Sequence, residues 1–228
     1  MRIVSALVFL LILISQAKSQ DVPLQDTLWE NDAYMYDSLI EVHNAIKFDP
    51  LQIFRGEISL FYERRISNRI SVEIGAGVTR RDWTYSWFFA DVDDLRRNIT
   101  MRTGAAFRLG MRYYLSDSPE LNGVYVMPQV AYRFYEKSFA EIDSAGSLNG
   151  QEHLDRRNIG EVNFTFGYQH LSINSNFFYD VYFGIGHSFY GGTIVKRQDV
   201  PIETLYYTEP RRGNGWLAVI GVKLGWGF

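Results

Sequence analysis

The chain contains no cysteine. That absence excludes disulfides, a lipid-anchored cysteine behind a leader, thiolate nucleophiles and thiolate metal sites. No basic stripe or run occurs, and the formal net charge is −3. Nothing is therefore present to neutralise the phosphates of a nucleic acid, and no such partner is expected. Beyond residue 19 no apolar run approaches the roughly 20 residues that a spanning helix needs. Mean hydropathy is slightly negative, so a hydropathy scan alone reads the chain as soluble.

What is present contradicts that scan. The 228 residues include 15 Tyr, 16 Phe and 5 Trp beside 19 Gly and only 6 Pro. Aromatic girdles and glycine-rich interiors favour such a mix in membrane barrels, whose strands are diluted in hydropathy by a polar inner face. The first 19 residues carry a basic start at Arg2, an apolar run from Ile3 to Ile14 and a small-residue site at Ala17-Lys18-Ser19. This pattern predicts export with cleavage before Gln20. Residues 20–43 carry Asp21, Asp26, Glu30, Asp32, Asp37 and Glu41 with no Lys or Arg. Met35, Leu39 and Val42 are spaced like one face of a short helix. An acidic disordered leader and a periplasmic docking segment for another envelope protein both fit that stretch.

From residue 44 onward the side-chain period is two, which predicts an all-β domain over 44–228. Eight segments are expected, at about 44–53, 56–65, 69–84, 101–113, 123–138, 158–172, 176–195 and 215–228. In the fourth, Met101, Thr103, Ala105, Phe107, Leu109, Met111 and Tyr113 alternate with Arg102, Gly104, Ala106, Arg108, Gly110 and Arg112. A strand buried on both faces cannot carry three arginines, and a helix would scatter them round its circumference. In the last segment every even position from Trp216 to Phe228 is bulky or apolar, while Gly221, Lys223, Gly225 and Gly227 fall between. One greasy face and one small or charged face describe a strand lying between lipid and a polar lumen.

Connections of alternating length (short at 66–68, 116–122 and 174–175; long at 85–98, 139–157 and 196–214) predict an antiparallel transmembrane barrel with short periplasmic turns, long outer loops and both termini periplasmic. Trp83, Trp87 and Trp216 then fall near the outer rim, and Tyr113, Phe177, Tyr179, Trp226 and Phe228 near the inner one. The charges assigned to the lumen are Asp49, Glu57, Glu63, Glu73, Glu161 and Asp180 against Lys47, Arg102, Arg108, Arg112, Arg133 and Lys223. An eight-stranded wall leaves room only for side chains, and buried charges persist there only when paired. A salt-bridged plug is expected, not a pore.

The stretch from Asn44 to Arg64, followed by Asn68 to Gly77, resembles the opening hairpins of the small outer-membrane β-barrel proteins that Bacteroidota encode in many copies. The similarity extends, more loosely, to OmpA/OmpX-type eight-stranded barrels and covers residues 44–228. The C-terminal strand ending on Trp226 and Phe228 is similar to the insertion signal of bacterial outer-membrane barrels. The resemblance implies a fold and a location, the bacterial outer membrane with its lipid as the surrounding partner, and carries no catalytic motif.

Several chemical readings compete with it. Small outer-membrane barrels include lipid A deacylases and acyltransferases that use Ser and His, so His187-Ser188 is a candidate. Adjacent strand residues point to opposite faces, however, and a dyad needs both within hydrogen-bond reach. His43, His153 and His170, in flanking, loop and turn positions, have no metal-ligand spacing. Asp91-Val-Asp-Asp94 lacks the rest of a calcium loop. Asn98-Ile-Thr100 and Asn163-Phe-Thr165 match the glycosylation sequon by chance. The rows of inward charge suggest a narrow conduction path, as charged rings select ions in larger barrels, but eight strands favour a structural salt-bridge network. The expected role is structural or interactive, as an accessory subunit of an envelope complex or a surface barrel, without a cofactor. A lipid-modifying enzyme stands as the alternative and a narrow channel as the weaker one. Trp87, Phe88 and Phe89 in the second outer loop, with Met35 and Leu39, are the candidate partner contacts.

Overall fold

The computed structural model describes residues 42–80, 99–116, 121–142, 148–172, 176–199 and 204–228. The expected leader, Met35, Leu39, Trp83, the cluster Trp87, Phe88 and Phe89, and the acidic run Asp91 to Asp94 lie outside these residues.

Nine antiparallel strands make up the described fold: β1 Asn44–Phe48, β2 Glu57–Ser67, β3 Ile70–Thr79, β4 Ile99–Arg102, β5 Gly104–Tyr114, β6 Gly123–Ile142, β7 Leu148–Leu171, β8 Phe177–Asp199 and β9 Thr204–Gly227. They form a single sheet that closes into a ring, because β1 pairs with β9 and β6 with β7. Nine strands replace the eight read from alternation, yet the ring has eight places. β4 and β5 lie end to end against β6, separated by Thr103.

Register fixes the shape. The row of partners leaving Ile46 runs through Tyr62, Ile74, Leu109, Val130, Val162 and His187 to Trp216 on β9. Ile46 itself, however, pairs with Trp226, ten residues further along β9. A stagger of that size round eight places tilts the strands by about 40° and gives the ring a radius of about 8 Å. Such a space can be filled by side chains alone.

Alternation decides which face each residue shows. Phe183 and Ile185 are 64% and 63% exposed on the outer face, whereas Glu63, Arg112 and Asp180 inside are 0% exposed. Inner glycines make room for large neighbours. Gly75, Gly167 and Gly221 lie directly opposite Phe61, Tyr125 and Tyr182, and a β-carbon on any of the three would collide with that ring. The aromatic rings therefore lie flat against the wall, and the space between them is left to charged groups.

Several boundaries differ from those expected, each for a local reason. The first strand ends at Phe48 and not near residue 53, because Pro50 removes a ladder donor and starts a 3-10 helix over Pro50–Arg55. Asp49 caps that helix by accepting from Leu51 N at 3.0 Å, and Gly56 ends it at φ 67. The expected loops 139–157 and 196–214 are mostly strand, since β6 and β7 extend to Ile142 and from Leu148, and β8 and β9 to Asp199 and from Thr204. In those upper parts the two-residue hydrophobic pattern is lost, while the ladder pairing continues from Asp199↔Thr204 down to Phe177↔Trp226. His153 accordingly sits in β7, paired with Phe139. One side of the ring is thus low, at β1 and β2, and the side formed by β6 to β9 rises well above it.

Candidate functional site

The stagger brings residues far apart in sequence to one height inside the ring, where they form two charged layers. The lower layer takes one side chain from each of the eight places: Lys47, Glu63, Glu73, Arg112, Tyr125, Gln169, Asp180 and Lys223. Arg112 is its centre, donating to Glu73 at 2.5 Å, Asp180 at 2.7 Å and also Gln169. Lys47 pairs with Glu63 and lies 3.8 Å from Asp180. Lys223 donates to Glu73 at 2.5 Å. Tyr114 and Tyr125 donate to Glu63 and Asp180 at 2.8 and 2.6 Å. Three acids face three bases, so the layer is neutral. Its rings seal it, with Arg112 over Tyr125 at 4.2 Å and Lys223 over Phe61 at 4.4 Å.

This layer also closes the weakest seam of the ring. β1 meets β9 through the four pairs Ala45↔Gly227 to Phe48↔Leu224, whereas β8 and β9 pair along their whole length. Lys47 compensates from β1, reaching across to Asp180 on β8.

The upper layer is built round the 3-10 helix. Arg108 forks onto Glu57, with Nε to Oε1 at 3.0 Å and Nη2 to Oε2 at 2.7 Å, and also reaches Gln52 at 2.8 Å. Tyr182 and Gln52 donate to Asp49 at 2.5 and 3.2 Å. Arg133 pairs with Glu161, which Arg55 also approaches at 2.7 Å. Tyr135 holds the helix from above, donating to the carbonyl of Arg55 at 2.9 Å. Three acids again face three bases.

Eleven of the twelve charges assigned inward from sequence lie in these two layers, each 4% exposed or less. Arg102 does not, and its inward assignment is corrected. β5 pairs Ala106 with Arg133, but β4 pairs Arg102 with Glu136, one residue off the register that β5 sets. A slip of one residue moves a side chain to the opposite face. Arg102 is 44% exposed and meets Glu152 at 2.9 Å and Glu136 at 3.5 Å, on the outer rim.

Sequence parity puts Gln169 and Tyr182 on the inward rows of their strands, and Tyr114 and Tyr125 continue the same alternation. Arg55 carries no such signal, since it enters from the helix that Pro50 starts. Trp226 and Phe228, expected to end the last strand, lie on the outer face, 55% and 53% exposed. Phe228 is also hydrogen-bonded to Asn44 through both backbone directions.

The chemical candidates separate in space. His187 packs on the outer face between Phe189 and Trp216, with ring centroids at 4.7 and 4.9 Å. Ser188 faces inward and donates to the carbonyl of Gly215 at 3.2 Å. The two do not form a dyad. Among the described residues no group of His, Asp and Glu has the arrangement of a metal site, and no helix is long and apolar enough to cross a membrane. No protein-family model, no curated protein and no solved structure matches the chain.

Proposed function

We propose that this protein is a bacterial outer-membrane β-barrel whose eight-place ring spans the membrane, with both termini periplasmic and a plugged lumen. The observation that carries the reading is the inversion of the two faces. Ion pairs fill the interior, and the outer face from Ile58 and Leu60 on β2 round to Ile220 and Leu224 on β9 is apolar and exposed. A continuous apolar belt of this kind is far larger than the few hundred Å² that soluble monomers leave uncovered. Hydrocarbon, the outer-membrane lipid, satisfies it. Tyr62, Tyr113, Tyr168, Tyr179 and Trp226, each between 38% and 55% exposed, lie at one height and fit the lower interfacial girdle.

The role that follows is structural or interactive, as an accessory subunit of an envelope complex or a surface barrel of the small Bacteroidota-type kind. Strand residues are committed to lipid contact, lumen filling and ladder bonds, which leaves recognition to the terminal segment and the outer parts. The charged layers count against a channel, and the separation of His187 from Ser188 counts against a serine-histidine lipid hydrolase.

Purified protein in detergent is expected to give a β-type circular dichroism spectrum and to migrate differently on gels when unheated. It is expected to give no single-channel conductance in planar bilayers. Recovery in the soluble periplasmic fraction would sink the reading, and a steady conductance would sink the plug. Deleting residues 21–40 is expected to leave insertion intact and to reduce co-purification of an envelope partner. Equal recovery by both forms leaves a stand-alone surface barrel.

A further inference from the structure

The outer face is bulky almost everywhere, except at one place on the tall side of the ring. There Tyr132, Gly160 and Phe189 fall in one row of partners across β6, β7 and β8, and Asn158, Gly191 and Arg212 in the next row up across β7, β8 and β9. The two glycines form a bare floor, since a β-carbon on either would meet nothing within 4 Å. Tyr132 and Phe189 stand up beside them as walls, 47% and 54% exposed. The result is a groove of about 560 Å³.

Its two ends differ in chemistry. Below it the next outward pair, Val162 and His187, leads to the apolar belt, while the upper end is polar, with the exposed side chain of Arg212 and the amide of Asn158. Counted along strands of this tilt, Tyr132 and Phe189 lie ~17 to 23 Å above the lower aromatic row, and Asn158 and Arg212 ~25 to 31 Å above it. The apolar band of such a barrel is about 25 Å tall. The groove therefore crosses the upper boundary between hydrocarbon and headgroups.

We infer that this groove is a binding site for an anionic membrane lipid of the outer leaflet, one whose phosphate meets Arg212. One acyl chain lies on Gly160 and Gly191 between the two aromatic walls. The inference rests on the membrane-spanning reading above. Arg212 supplies the charge complementarity, and the bare floor at Gly160 and Gly191 the space that an acyl chain fills and a free phosphate does not. Guanidinium and phosphate make the stronger kind of charge-assisted hydrogen bond, favoured further where water is thinned at the interface.

The test uses the full mature protein in dodecyl maltoside with dioleoylphosphatidylglycerol added, its adducts counted by native mass spectrometry. Arg212→Glu reverses the charge. Gly160→Leu fills the groove at a position where the added side chain meets open space. Each is expected to bind about tenfold less phosphatidylglycerol than the wild type, a difference of ~1.4 kcal/mol, while keeping heat-modifiable gel migration. Dioleoylphosphatidylcholine, of zero net charge, is expected to bind more weakly, and millimolar inorganic phosphate to displace nothing. Equal adducts on both variants, or displacement by inorganic phosphate, overturn the inference. Quenching of tryptophan fluorescence by brominated lipid in liposomes separates the two failures. Quenched protein that binds every lipid alike loses only this site, whereas unquenched protein loses the membrane reading and the site together.

Discussion

The lower and upper charged layers carry the same formal balance, three acids to three bases, and differ in how completely that balance is hydrogen-bonded. In the lower layer the one buried nitrogen without a partner is Arg112 Nε, whose guanidinium lies on the Tyr125 ring. In the upper layer Arg133 Nε and Nη1, Glu161 Oε2 and both polar atoms of the Asn163 amide are buried without a hydrogen bond. The upper layer also reaches solvent through Arg55, 26% exposed. An unmade bond in a dry interior costs ~1–3 kcal/mol, so the upper layer is the less strongly held of the two. The lower layer is a nearly fully bonded crosslink through all eight places of the ring, and the upper layer is a less completely bonded stopper hung on a short helix.

If that contrast is right, the largest effect comes from the centre of the lower layer. Arg112→Ala leaves Glu63, Glu73 and Asp180 facing only Lys47 and Lys223, all within 1% of full burial. Breaking a buried ion network by removing one partner costs about 3–5 kcal/mol. Urea unfolding of protein refolded into liposomes is expected to show a loss of that size. A loss under 1 kcal/mol means that water reaches this layer after all, and the contrast between the layers disappears.

Part of this architecture was legible in the sequence, and the boundary of legibility is physical. Where a strand has an exposed apolar outer face and a packed, charged inner one, its two faces have opposite chemistry. Hence the alternation through Met101 to Tyr113 and Trp216 to Phe228 named the strands and most of the inward charges. Above the belt both faces of β8 and β9 meet polar surroundings, so nothing forces residues such as Lys196, Tyr207 or Glu209 to alternate, and the pattern there reads as loop. The slip at Thr103 was invisible for another reason. Parity counts residues along one strand, but facing is set by the register with the neighbour, and Arg102 follows β6. Arg55 was missed because the helix that carries it is dictated by Pro50 and Asp49, a local breaker and cap inside an otherwise strand-like pattern.

A smaller effect is expected in the upper layer. Arg133→Met removes a partner of Glu161, but Arg55 remains beside that carboxylate at 2.7 Å, and two nitrogens that make no hydrogen bond leave with the guanidinium. The methionine fills much of the same volume with a flexible chain. The net loss is expected at about 1–2 kcal/mol, measured in the same liposome titration. Combining Arg133→Met with Arg55→Met sharpens the comparison, because the pair strands Glu161 and the double variant is expected to lose more than the two singles added together. Strict additivity would mean that Glu161 is hydrated and that neither arginine is needed to neutralise it.

The smallest effect belongs to the rim. Arg102 sits beyond the slip at Thr103, 44% exposed, between Glu136 and Glu152. Glu136 keeps a second partner, Arg156, at 2.9 Å. Exposed pairs of this kind contribute about 0–1 kcal/mol, and salt screens them. Arg102→Ala is therefore expected to move the unfolding midpoint little at low salt and not at all at 1 M salt, where the Debye length is about 3 Å. Arg112→Ala, shielded from ions, is expected to keep its full loss under both conditions. The two arginines lie on adjacent segments of one sequence pattern, ten residues apart, so their salt dependence tests the register slip directly. A loss from Arg102→Ala that is large and indifferent to salt would place that side chain inside the ring and return β4 to the register of β5.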